Sequence, residues 1–238
     1  MPPSTFIDSP IIRDATTRST HVTRCDVQSV HQGLRMGLVI LLAVIAPASL
    51  ASEAEEQILG LYEGKGKSLY CATEIRSASR FKVDYLYSEK QLLKQFGCLT
   101  ARQCQKKDGF MNVANDLHNL YPVERSVVLD RRGSTFDDSP DDGVEATECG
   151  YRISYLRFEP PDHAKGNVAR ALAYMSQRHN LPLVANAELL RQWSEIDPPD
   201  DAERERNQAI QRLQGNSNPF IDNPARMDEL TGLRMKSW

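Results

Sequence analysis

The residues best suited to chemistry lie in one short run, Asn115-Asp116-Leu117-His118-Asn119, where a carboxylate and an imidazole stand two positions apart. Such a pair can act as a general base or contribute to a metal site. A second run, Gly64-Lys65-Gly66-Lys67-Ser68, ends like a phosphate-binding loop. That motif needs a glycine five positions before Gly66, where Leu61 stands, and no apolar strand precedes it, so the run reads as a flexible loop. There is no G-x-S-x-G elbow for a serine nucleophile. Cys71, Cys98, Cys104 and Cys149 contain no C-x-x-C pair and have no histidine at zinc-ligand spacing, which disfavours a zinc site. Four cysteines in an oxidising compartment imply two disulfides in one of three pairings, and Cys98–Cys104 with Cys71–Cys149 is the pairing expected.

An exported address comes from Gly37–Ala46, about ten apolar residues after Arg35, followed by Pro47-Ala48-Ser49-Leu50-Ala51 with small residues at a cleavage position. Residues 1–35 are polar and Ser/Thr-rich, with Cys25 among them, and read as a leader whose translation starts further downstream, at a residue such as Val30. The 238 residues carry a net charge of −3. Four basic and three acidic residues precede Ser52, so the rest carries −4, with no basic footprint of the kind phosphate-backbone binders show. Composition excludes collagen, coiled coil and global disorder, and no apolar run approaches a membrane span.

The elements that must position any site are read from periodicity. Lys67–Ala72, Phe81–Tyr87 and Tyr151–Phe158 alternate as short strands. Val168, Ala171, Leu172 and Met175 recur at helical spacing within Ala164–Asn180, and two more helices are expected at Ala187–Glu195 and, after Pro198-Pro199-Asp200, at Asp201–Gln214. Between Arg131 and Glu148, the run Gly133–Gly143 reads as a solvated acidic loop. No internal repeat is present.

Phe96-Gly97-Cys98, Gln103-Cys104 and Asn115-Asp116-Leu117-His118-Asn119-Leu120-Tyr121-Pro122 together carry a resemblance. The chain resembles the endonuclease I family, secreted or periplasmic nonspecific nucleases of the His-Me finger (ββα-metal) superfamily. The resemblance continues through Phe158-Glu159-Pro160-Pro161, Lys165-Gly166, Val168-Ala169-Arg170, Tyr174-Met175, Trp193, Asp197-Pro198, Glu203 to Asn207, Gln214-Gly215 and Asn218 to Asp222, and covers about Leu69 to Asp222.

Members of that family hydrolyse phosphodiesters with one divalent ion and a histidine that deprotonates the attacking water. Their pattern ends a strand in a Glu-His pair, the Glu holding the metal and the His acting as base. Here the strand reads Val83-Asp84-Tyr85-Leu86-Tyr87-Ser88. Either the pair is deleted between Tyr85 and Leu86, or Leu86 and Tyr87 replace it; both leave no carboxylate and no base titrating near neutrality. The second metal ligand, the Asn of V-N-x-x-R, falls on Val128 in Val127-Val128-Leu129-Asp130-Arg131, while Arg131 fits the family arginine. Valine cannot bind a hard cation, which takes oxygen ligands. Asp84 and Asp130 are the substitutes available to a rebuilt site; a one-residue shift on a strand turns the side chain to the other face. His118 and Asn119, with Arg131, are the remaining candidates for catalysis, the blander role of the block being to hold the loop beneath the site. Arg131, Lys165 and Arg170 are candidate phosphate contacts, with structural pairs to carboxylates such as Glu159 and Glu203 the competing reading. His163 and His179 read as surface residues at helix ends, and Tyr85 and Tyr87 as strand packing.

The expectation is therefore an α+β, helix-rich single domain with a small antiparallel sheet and a degenerate ββα-metal motif. Its boundaries are a leader and signal at 1–51, the endonuclease I-like domain at 52–226 and a tail at 227–238. The function expected is that of an exported pseudoenzyme, its metal-dependent hydrolysis lost, keeping at most a weak, sequence-independent hold on DNA or RNA. The rivals are a working secreted nuclease with a rebuilt site using Mg2+ or Ca2+, and an interaction or inhibitor module of the envelope. No cofactor is otherwise expected.

Overall fold

The longest described element is a continuous helix of eighteen residues, packed against the helices that follow it. The computed structural model describes residues 50–132, 134–138 and 143–232. The leader, the signal-like run and the last six residues lie outside the described residues. In chain order the elements are α1 (Leu50–Tyr62), β1 (Phe81–Tyr85), α2 (Glu89–Gln95), α3 (Ala101–Cys104), α4 (Phe110–Ala114), β2 (Leu120–Glu124), α5 (Arg125–Arg131), β3 (Thr135–Phe136), β4 (Arg152–Ser154), β5 (Arg157–Glu159), α6 (Asp162–His179), α7 (Ala187–Ile196), α8 (Asp201–Gln214) and α9 (Pro219–Asp222), with a final 3-10 segment at Pro224–Gly232. The protein is helix-rich α+β, as expected. No described helix is long and apolar enough to cross a membrane.

Helix α6 starts after Pro161 with Asp162 in its first turn and ends on Asn180 in the left-handed conformation, with Arg178 and His179 suiting the negative end of the dipole. Its expected apolar stripe widens to most of its surface, because Ala164, Ala169 and Ala173 are buried together with Val168, Leu172 and Met175. Small residues at these positions let α7 and the 3-10 segment approach closely, and Trp193 of α7 is buried in the same core with its ring edge-on to that of Phe136. Met227 and Leu230, on the tail side of the boundary drawn at 226, are buried in the same cluster.

The two sheets are small. β1 and β2 pair antiparallel, Phe81 opposite Glu124 and Tyr85 opposite Leu120. β3 pairs parallel and β4 antiparallel with β5. The alternating stretch Tyr151–Phe158 is thus two strands joined at Tyr155-Leu156, where Tyr155 takes φ 51°. Lys67–Ala72 is not a strand. Ala72 has φ 52°, its N–H bonds back to Ser68 O, and only the bridge between Lys67 and Glu74 pairs there. The run from Gly64 is likewise a bonded turn, Gly64 N–H to Ile75 O and Ile75 N–H to Gly66 O, and not a flexible loop. Both expected disulfides are formed, Cys71–Cys149 across 78 residues and Cys98–Cys104 across 6.

Candidate functional site

β1, β2 and α5 form the frame around the positions the sequence singled out. Asn119 sits in the 3-10 turn entering β2, and its backbone carbonyl accepts the N–H of Leu86 at 3.0 Å. Its side chain then brackets Tyr87, Oδ1 accepting from the backbone N–H at 2.6 Å and Nδ2 donating to the carbonyl at 3.0 Å. Asn119 therefore fixes the backbone of the two residues that follow β1. Their side chains turn into the core: Leu86 is 1% exposed and Tyr87 fully buried. The Tyr87 hydroxyl donates to Pro182 O at 3.2 Å, and burial raises its pKa, so the phenol stays protonated. Val128, on α5, packs against the same apolar cluster.

The two aspartates available to a rebuilt site have internal partners. Asp84 Oδ2 accepts from Arg131 Nε at 3.0 Å and from the Tyr70 hydroxyl at 2.8 Å, all three groups buried. Arg131 also donates to Ser134 O, Tyr85 O and Leu86 O, and its guanidinium lies 4.0 Å from the Phe136 ring centroid. It thus ties α5 to the end of β1 and to the second sheet. Asp130 accepts the Tyr151 hydroxyl, whose pKa is pushed up to about 12, by burial first and then by that bond.

Asp116 is a hub. Its Oδ1 accepts from the His118 backbone N–H and from Gln214 Nε2, and its Oδ2 from the Tyr174 hydroxyl at 2.7 Å and His179 Nε2 at 2.8 Å. Burial opposes the carboxylate, yet the bonds from His179, Gln214 and Tyr174 hold its pKa below the ordinary value. His179 is consequently a partner of Asp116 at the end of α6 rather than a purely surface residue.

His118 is fully buried and its ring lies 4.6 Å from that of Tyr174. Nε2 faces Asn216 O at 3.0 Å, which requires the proton on Nε2, and Nδ1 is buried without a hydrogen-bond partner among the described residues. Burial first, and then the charge of Arg206, lower its pKa to about 4. The imidazole is therefore neutral at pH 7. Because the unfolded chain takes up this proton near pH 6.5 and the folded chain only near 4, stability present above pH 6.5 is lost as pH falls towards 4, by about 3 kcal/mol. Urea unfolding at pH 7 and pH 4.5 should show this slope, and His118→Gln, which keeps the donor, should flatten it. An equal slope in both proteins would assign the acid sensitivity elsewhere.

The candidate phosphate contacts are not free surface cations. Arg170 is fully buried, paired with Glu203 through Nε at 3.0 Å and Nη2 at 2.5 Å, and donates further to Ser194 Oγ and Asp197 O. Lys165 is buried between Glu159 at 3.1 Å and Asp162 at 2.7 Å, and these carboxylates raise its pKa against the opposing effect of burial. Arg131 is buried as described. Gly166 is required here, since a Cβ would stand 1.8 Å from Asp197 O.

Arg206 has no role in the motif reading but holds the site's loop. Its Nη2 donates to Leu117 O at 2.8 Å and Leu120 O at 2.9 Å, and its guanidinium lies 3.9 Å from the Tyr121 ring centroid. Together with Gln214 and Asn216 it clamps the 3-10 turn that carries His118 and Asn119. The only sequence signal for this was the place of Glu203–Asn207 and Gln214-Gly215 among the blocks of the resemblance.

A divalent ion needs converging oxygen or imidazole ligands. Leu86 and Val128 offer none, Tyr87 is a protonated phenol, and among the described residues no three His, Cys, Asp or Glu side chains converge. These residues do not fit a catalytic metal.

The blocks noted in the sequence, from about Leu69 to Asp222, span most of the described residues. The family model described as Endonuclease I matches residues 49–225. The chain belongs to the endonuclease I family. Among its relatives, an extracellular deoxyribonuclease of Aeromonas hydrophila is 28% identical over 221 residues, covering 79% of this chain and 96% of the relative. A periplasmic deoxyribonuclease of the same organism is 26% identical, covering 79% and 93%. An extracellular ribonuclease of Bacillus subtilis (strain 168) is 33% identical over 134 residues, covering 48% of this chain and 46% of the relative.

Proposed function

We propose that this endonuclease I-type chain is an exported protein that has lost metal-dependent phosphodiester hydrolysis and retains a weak, sequence-independent hold on nucleic acid. The observation that carries the reading is the burial of Leu86 and Tyr87 in the apolar core, with half-buried Val128 packed against it, where the resemblance would put the family's ligands and base. Loss of polar groups alone would leave a lined cleft; here apolar side chains fill the place. The frame of β1, β2 and α5 stands for the degenerate ββα motif, and Asn119 keeps its backbone geometry without the chemistry. His118 and Arg131 act in this reading as supports of that frame.

Export is supported by the signal-like run at 37–46, by two formed disulfides, and by relatives named as extracellular and periplasmic nucleases. The same names support nucleic acid as the molecule recognised. The test is relaxation of supercoiled plasmid by the purified, oxidised protein in magnesium. No relaxation above a chelator control is expected. Relaxation that the chelator abolishes and that Asp84→Asn, Asp130→Asn or His118→Gln also abolishes would establish a rebuilt site and overturn the reading.

A further inference from the structure

Among the described residues three that are not glycine adopt positive φ: Ala72, Tyr155 and Asn180. Asn180 caps α6, a position that asparagine suits, and Ala72 follows a disulfide-bonded cysteine in a bonded turn. Tyr155 has no such account. It is the first residue of the two-residue turn between β4 and β5, a place normally taken by Gly, Asn or Asp because a bulky side chain is strained there. Its side chain gains nothing from the fold in return. It is 91% exposed, no hydrogen bond or ring contact with another described residue involves its side chain, and Leu156 beside it is 49% exposed. An aromatic ring held out at a strained position without internal contacts is accounted for by a contact outside the chain.

The root of this hairpin connects it to the site. Leu156 O accepts the N–H of Thr135, and Phe136 and Phe158 of the same sheet flank the Arg131 guanidinium, which reaches Leu86 O. Arg132, exposed at the end of α5, lies three residues before Thr135 and places a cation in the segment bonded to the tip. A flat, exposed ring with a polar end suits stacking against an unpaired base.

We infer that Tyr155 is a stacking residue for single-stranded nucleic acid, an inference that rests on the proposed retention of nucleic-acid binding. The experiment is fluorescence anisotropy with labelled 12-nucleotide oligo(dT) and oligo(dA) at several low salt concentrations, using the oxidised protein, Tyr155→Gly and Tyr155→Phe. Thermal melting of each protein accompanies it. Tyr155→Gly should melt at or above the parent, since glycine relieves the turn, yet bind about five- to hundredfold more weakly. Its salt dependence should match the parent's, because phosphate contacts are untouched. Tyr155→Phe should bind like the parent. Unchanged binding in the glycine variant overturns the stacking role alone. A lowered melting temperature overturns it by showing that the ring packs within the fold. No retention by the parent removes the stacking role together with the binding half of the proposed function.

Discussion

Replacing Leu86 by Glu, Tyr87 by His and Val128 by Asn in one chain is expected to give a protein that is much less stable in chelator, is restabilised by magnesium, and nicks plasmid DNA. The loss follows from burial. A carboxylate at the place of Leu86 and an imidazole at that of Tyr87 would enter an apolar cluster without partners, and the smaller imidazole would leave a void besides. Together these should cost about 5 kcal/mol or more, against a total of about 5–15 kcal/mol for an ordinary domain. Binding of a metal ion to the folded state alone returns about 2.7 kcal/mol when the ion is at a hundred times its dissociation constant. The design substitutes residues in place. Inserting Glu-His between Tyr85 and Leu86 would shift the chain against the three hydrogen bonds it shares with Asn119, two accepted and one donated by Asn119, whereas substitution leaves that backbone unchanged. Urea unfolding with and without magnesium, followed by plasmid nicking, reads the result. A folded triple variant with neither a magnesium-dependent gain in stability nor nicking would show that positions 86, 87 and 128 are not the counterparts of the family's site.

The parts of this architecture legible in the sequence are those whose signal is long or local. Helix α6 announced itself because Val168, Ala171, Leu172 and Met175 recur at helical spacing over about two turns, and the strand at Phe81 because it alternates. The number of disulfides was also readable, whereas which of the three pairings forms is decided only by the fold. Helix α1 was not, since its described core contacts are made by a thin apolar stripe around Ala54 and Ile58 in an acidic segment, which looks like a solvated start. Helices α2 to α5 are four to seven residues long, too short for periodicity to register. The Ser88 to Gln91 capping box of α2 was nevertheless written in the sequence. Lys67–Ala72 alternates like a strand but is held as a turn by long-range ties, Leu69 N–H to Pro122 O and Cys71 to Cys149. The Asp116 hub was the hardest to foresee. Tyr174, His179 and Gln214 lie 58, 63 and 98 residues away, and nothing in a local pattern reports such convergence.

Arginines read as phosphate contacts proved internal because their carboxylates come from distant elements, and this sets the second large effect. Glu203→Ala should destabilise the protein by about 3–5 kcal/mol, the loss seen when one member of a buried ion pair is removed. Arg170 would then keep its charge at a fully buried position between α6, α7 and α8, with only Ser194 Oγ and Asp197 O left to accept from it. Burial raises the Glu203 pKa despite Arg170, so desolvation is already the larger influence on this carboxylate. Truncating it therefore saves its own desolvation but leaves that of Arg170 uncompensated. The paired replacement Arg170→Met with Glu203→Met removes both desolvation penalties and should cost markedly less than the sum of the two single changes. Urea unfolding at pH 7 of the parent, Arg170→Met, Glu203→Met and the double variant closes the cycle, with Glu203→Ala measured beside them. If Glu203→Ala lies within about 1 kcal/mol of the parent, the pair is not what joins α6 to α8. A double variant as unstable as the summed singles would point instead to packing of the long side chains, with the charges contributing little.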